Sequence, residues 1–73
     1  MVVRNAKELG ALIRARRKEK GLTQTQLAEL AGASLRFITE LERGARTEAG
    51  ISRVLTVCSR LALDLTITPR ELP

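Results

Sequence analysis

Residues 21–44 read GLTQTQLAELAGASLRFITELERG, two capped apolar segments separated by a single glycine turn. Thr23 and Gln26 stand three apart, just ahead of Leu27, Ala28, Leu30 and Ala31. At that spacing a hydroxyl and an amide each satisfy a backbone N–H that the first turn of a helix leaves free. The pattern predicts a short helix over 24–31, ended by Gly32, since glycine tolerates the left-handed turn that closes many helices. Only Gly32 and Ala33 precede Ser34, which suits the cap of another helix, running to Gly44. In that helix Phe37, Ile38 and Leu41 form one apolar stripe, and Ser34, Arg36, Thr39, Glu40 and Arg43 form a hydrogen-bonding face of both signs. An ordinary surface helix shows much the same pattern, so its purpose lies in what precedes and follows it.

Two helices joined by so tight a turn make a helix-turn-helix, in which the second helix projects outward. A projecting helix fits the major groove of B-DNA, about 12 Å wide, while the helix before it crosses the phosphate backbone. On this geometry the polar face of residues 34–43 meets base edges, and Phe37, Ile38 and Leu41 hold it to the core.

On the N-terminal side, Asn5 and Glu8 repeat the capping spacing, and Leu9, Leu12, Ile13, Arg16 and Arg17 follow at helical intervals up to Gly21. A first helix over about 6–20 is expected. On the C-terminal side Thr47 is expected to cap a fourth helix, with Ile51, Val54, Leu55, Cys58, Leu61 and Ala62 as its buried stripe and Gly50 weakening its start. The period then changes. Leu63, Leu65 and Ile67 alternate with Asp64, Thr66 and Thr68, which predicts a strand over 63–68 stopped by Pro69.

A lone strand exposes unpaired backbone groups. Its simplest partner is the same strand of a second copy, giving a two-fold homodimer held through Leu63, Leu65 and Ile67. A loose tail with accidental alternation is the other reading. The expected organisation is an all-α chain: an N-terminal arm (1–5), a four-helix domain (6–62) with its helix-turn-helix at about 24–43 and recognition helix at about 35–43, a dimerisation strand (63–68) and a tail (69–73).

The chain of 73 residues has room for one small domain. A chain this short buries only about 60% of its unfolded surface and gains from an oligomer. It has one cysteine and no histidine, which argues against a disulfide framework, a zinc site and any catalytic pair built on histidine. Glu40 and Glu42, two apart, lie on different helix faces and do not make a facing acid–base pair. No enzymatic activity, metal or cofactor is expected, and Cys58 reads as a small buried apolar residue rather than a reactive thiol. No apolar run approaches the ~20 residues of a membrane span, and MVVRNAKELG lacks the apolar core of a signal peptide, so a cytoplasmic location is expected.

The net charge is +5, with five of 13 basic residues inside the run Arg14 to Lys20. A basic balance suits a phosphate backbone, whose neutralisation releases counterions, although such a run is more often a solvated helix face. Single-stranded RNA is disfavoured because the one aromatic residue, Phe37, sits on the core-facing stripe and cannot supply a stacking platform.

The run GLTQTQLAELAG followed by ASLRFITELERG resembles the lambda-repressor/Cro-type helix-turn-helix, the XRE family. The matching pieces are the R-x-x-x-G-L-T-Q of Arg17 to Gln24, Leu27-Ala28, the Gly32 turn, Ile38, and the E-R-G of Glu42 to Gly44. The single fourth helix running into LALDLTIT further resembles HipB-like antitoxin repressors, in which a C-terminal strand pairs across the dimer. Those proteins bind their own operator and a HipA-type kinase toxin.

The resemblance implies a four-helix lambda-repressor-like fold, a homodimer on a palindromic duplex and autoregulation of a toxin–antitoxin promoter. A stand-alone phage-type regulator, and an interaction module that no longer reads sequence, are the alternatives. It further implies that Arg17 and Glu42 form a buried ion pair, that Gln24 bonds a phosphate, and that Ser34, Leu35, Arg36, Thr39 and Glu40 face the groove. Arg43 and Arg46 flank the helix end, where relatives contact the backbone. Arg36 suits the O6 and N7 of guanine, or else a phosphate, and Glu40 suits cytosine N4, or else solvent. Leu35 departs from the polar residue common there, and either meets a thymine methyl or packs.

Overall fold

In the computed structural model, which describes residues 2–45 and 48–70, the capping signals become four helices. They are α1 (Ala6–Glu19), α2 (Gln24–Ala31), α3 (Leu35–Arg43) and α4 (Ile51–Arg60). The reciprocal box at α2 is complete: Gln26 N–H donates to Thr23 Oγ1 at 3.0 Å, and Thr23 N–H donates to Gln26 Oε1 at 2.9 Å. At α1 it is displaced by one residue. Asn5 Oδ1 accepts from Glu8 N–H at 2.8 Å, but the Glu8 carboxylate accepts from Arg4 N–H at 2.7 Å instead of reaching Asn5. Gly32 and Gly44 close α2 and α3 in the left-handed conformation, with φ of 64° and 72°.

The core takes Ile13 from α1, Leu27 and Ala28 from α2, Phe37, Ile38 and Leu41 from α3, and Val54, Val57, Cys58 and Leu61 from the α4 region. Burial pushes the Cys58 thiol up from its ordinary pKa, which keeps it a protonated core residue. α1 crosses α3 at Gly10 without a gap. A Cβ there would fall on the Leu41 carbonyl oxygen and come within 2.7 Å of the Glu42 carbonyl oxygen.

The fourth helix corrects the expectation in phase. Val54, Val57, Cys58 and Leu61 face inward, whereas Ile51, Leu55 and Ala62 are exposed. The inward set is spaced i, i+3, i+4, i+7, the period of one helix face, and so brings in Val57 rather than the outer trio. α4 starts after Gly50, which has no side chain with which to cap it. Thr47, the expected cap, lies outside the described residues. Two arginine side chains hold this helix to the body: Arg16 Nε donates to Leu61 O and Arg60 Nε to Leu30 O, each at 2.9 Å. Both acceptors are carbonyls at helix C-termini, which need partners from outside the helix.

α4 closes with a paired backbone motif. Leu63 N–H donates to Cys58 O at 2.8 Å and Ala62 N–H to Ser59 O at 3.1 Å, with Ala62 left-handed at φ 54°. Leu63 folds back against the core, so it belongs to the end of α4 rather than to a free strand. No strand forms among the described residues, since a single chain gives residues 63–68 nothing to pair with. Leu65 and Ile67 are 48% and 89% exposed. Among the described residues no helix is long and apolar enough to cross a membrane, and no group of acidic residues and cysteine could hold a metal ion.

Candidate nucleic-acid interface

α3 projects from the body with one face sunk and the other bare. Phe37, Ile38 and Leu41 are in the core, while Leu35, Arg36 and Arg43 are exposed and Thr39 and Glu40 half-buried. Leu35, Arg36, Thr39, Glu40, Arg43 and Ala45 line a shallow groove along the helix. Ser34 begins the helix by accepting from Phe37 N–H at 3.0 Å, so its oxygen serves the cap. Leu35 remains 49% exposed, an apolar tip on a polar face rather than a core residue.

Beneath this face lies a network that fixes its position. Arg17 and Glu42 are buried and meet through two hydrogen bonds, Nε to Oε2 at 2.7 Å and Nη2 to Oε1 at 3.0 Å, while Nη1 donates to Leu22 O at 2.8 Å. The forked geometry gives direction as well as charge. Glu42 Oε1 also accepts from Gln24 Nε2 at 3.1 Å, and Gln24 Oε1 accepts from Thr39 Oγ1 at 3.3 Å. The ion pair between α1 and α3 therefore extends, through the first residue of α2, to the outer surface of α3. Gln24 is thereby positioned at the start of α2 with one amide N–H bonded to Glu42 and the second left for the phosphate that the resemblance implies. Thr39 Oγ1 lies 2.9 Å from Leu35 O as well. Its one proton is thus spent inside, and what remains for a ligand is an acceptor lone pair and a methyl group.

Arg36 and Glu40 also meet each other. Arg36 Nε lies 2.8 Å from Glu40 Oε1, with the arginine side chain 85% exposed and the glutamate 25%. The basic run of α1 divides by helical phase. Arg16 is bonded to Leu61 O and Glu19, and Arg17 to Glu42. Lys7, Arg14 and Lys18 line a shallow groove shared with Arg43, and Arg14 also borders the N-terminus of α2 beside Thr23, Gln24 and Thr25. Arg14 and Lys18 belong to the basic run that the sequence showed without dividing it, and Lys7 lies outside that run. Following helical intervals of three and four from Lys7 through Arg14 to Lys18 separates this set from the structural pair Arg16 and Arg17. Arg46 lies outside the described residues.

With this geometry in place, the comparisons are specific. The profile of a helix-turn-helix family matches residues 13–67. An uncharacterised HTH-type transcriptional regulator of Sinorhizobium fredii, y4mF, is 43% identical over 65 residues, covering 89% of this chain and 84% of its own. The crystal structure of ClgR, the clp gene regulator of C. glutamicum, superimposes with a TM-score of 0.76 at 35% identity, over 82% of this chain and 76% of that one. SinR, a master regulator for biofilm formation solved in complex with DNA, gives a TM-score of 0.71 at 32% identity, over 77% and 89% of the two chains.

Proposed function

The chain belongs to the XRE-type helix-turn-helix family, and we propose that it is a sequence-specific duplex DNA-binding transcriptional repressor that works by occupying its promoter. The observation that carries this reading is α3 itself. It is anchored by Phe37, Ile38 and Leu41, held in register by the Arg17–Glu42–Gln24–Thr39 network, and turns Leu35, Arg36 and Arg43 outward beside the half-buried Thr39 and Glu40. Arg36 has two terminal amino groups for the O6 and N7 of guanine. Leu35 and the Thr39 methyl suit a thymine methyl. Lys7, Arg14, Lys18 and Arg43, with Arg46, give phosphate contacts that position the helix without reading sequence. The first-turn N–H groups of α2 add to them, together with the second amide N–H of Gln24.

The repressor acts as a dimer on a palindrome with half-sites about one helical turn apart. The exposed Leu65 and Ile67 beside Leu63 support pairing of residues 63–68 across the two-fold axis. Ile67→Pro removes one ladder donor, and light scattering should then show monomers; a persisting dimer places the interface elsewhere. Within this reading the chain is the antitoxin of a HipA-type kinase operon, supported by the run from the fourth helix into LALDLTIT. A stand-alone regulator is the second reading, favoured by the regulators named among its relatives. A neighbouring gene for a kinase toxin separates the two.

Selection from a random duplex library at near-physiological salt should enrich a palindromic motif. On that site Arg36→Ala should cost about 1–3 kcal/mol and relax a single base position. No enrichment by the folded protein would favour the interaction module, and an equal loss on all sequences would place Arg36 on a phosphate.

A further inference from the structure

A carboxylate is an odd residue for the DNA-facing side of a recognition helix. It repels phosphate, and in a chain of net charge +5 it works against the general attraction to the duplex. Glu40 lies in the groove among Leu35, Arg36, Thr39 and Arg43. The Arg36 pair itself adds little to helix stability. An exposed i, i+4 pair contributes about 0.3–0.5 kcal/mol at best, and the order here, with the cation on the N-terminal side, is the weaker one. A negative charge in the C-terminal half of a helix also opposes the macrodipole.

The geometry of the pair suggests what the carboxylate does. The contact is made through Arg36 Nε, at 2.8 Å from Glu40 Oε1, and the two members differ in exposure, 85% against 25%. Glu40 is the fixed member and Arg36 the movable one. A guanidinium bonded at Nε is biased toward one orientation of its long side chain, and the bond runs through Nε rather than through Nη1 or Nη2, the groups that fork onto O6 and N7.

We propose that Glu40 is a positioning residue for Arg36, which orients the guanidinium toward a guanine and lowers affinity for unmatched DNA, and that it does not itself read a base. This rests on α3 being a base-reading helix. It replaces the role of cytosine acceptor that the sequence had implied. Holding Arg36 before binding lessens the side-chain ordering that complex formation requires, and the negative charge weakens phosphate contacts made at any sequence.

The test compares Arg36→Ala, Glu40→Ala, Glu40→Gln and the double alanine variant on the selected operator, on operators changed one base pair at a time, and on unrelated duplex. Arg36→Ala should lower discrimination about tenfold or more at one base pair. Glu40→Ala should lower it at the same base pair, and should strengthen binding to unrelated duplex about two- to fivefold, as one repulsive charge is removed. In base discrimination the double variant should match Arg36→Ala alone, while its binding to unrelated duplex should be strengthened as in Glu40→Ala. Glu40→Gln, whose Oε1 still accepts from Nε, should keep most of the base preference yet show the stronger nonspecific binding.

Relaxation at a different base pair, or full additivity of the losses in base discrimination in the double variant, would mean that Glu40 reads a base and would overturn the proposal. Unchanged discrimination in Glu40→Ala would overturn it too, and leave the repressor reading standing. A parent chain that prefers no duplex removes the base-reading helix on which both depend.

Discussion

Gly10→Ala is expected to destabilise the domain by about 3 kcal/mol or more, at the upper end of what overpacking costs, although alanine is the better helix former by about 1 kcal/mol. The added Cβ would land on the Leu41 carbonyl oxygen and lie 2.7 Å from that of Glu42. Both obstacles are backbone, so no side-chain rotation relieves them. α1 and α3 would have to move apart, at the one crossing that aligns Arg17 with Glu42. In a domain of this size such a change lowers the melting temperature by about 12–24 °C, which circular dichroism would read directly. A variant that melts at or above the parent temperature would mean that the two helices separate without cost. Because the same movement shifts the base of α3, any folded fraction should also bind its operator less well.

Removing one member of the Arg17–Glu42 pair should be comparably severe. Arg17→Met leaves the buried Glu42 carboxylate without its fork of donors, and losses of this kind run to about 3–5 kcal/mol. The double variant Arg17→Met, Glu42→Leu is expected to recover most of that in urea denaturation, since two apolar side chains remove both charges from the interior. It should not recover operator selectivity. Gln24 Nε2 loses its acceptor on Glu42 in the double variant, and with it goes the bonded link to Thr39. A stable protein with blurred base preference would show that the pair serves the register of α3 more than the stability of the fold. A single variant costing under about 1 kcal/mol would show that water reaches the carboxylate.

Where a helix begins with a polar side chain that bonds its own first turn, the sequence displays the boundary. Asn5, Thr23 and Ser34 each do so, and α2 and α3 run over the ranges their spacing predicts. The start of α4 lacks that signal because Gly50 has no side chain. Its phase was equally hidden. ISRVLTVCSRLA carries two overlapping apolar stripes, one through Ile51, Leu55 and Ala62 and one through Val54, Val57 and Leu61. Cys58 is common to both, and only packing against α2 and the rest of the core chooses between them. Gly10 was illegible for the opposite reason. Within a helix a glycine reads as a weak propensity, and its purpose depends on a backbone 31 residues away.

At the interface the pattern showed which residues line α3 but not which of them bond each other. Arg36 with Glu40, and Gln24 with Thr39 and Glu42, are relations between side chains that spacing alone leaves open.

The bond from Arg16 Nε to Leu61 O spans 45 positions of sequence, and this orders events as the chain is made. Proteins emerge N-terminus first at about 5–20 residues per second, so α1 waits about 2–9 s for the carbonyl that its arginine will hold. Until then α1 is held to α3 through the Arg17–Glu42 pair and the Gly10 crossing, and its bond to the end of α4 is the last of these to form. Closure of the domain is in this sense read out at its C-terminal end, and a chain cut short before Leu61 carries the whole sequence of its recognition helix but no acceptor for Arg16 Nε.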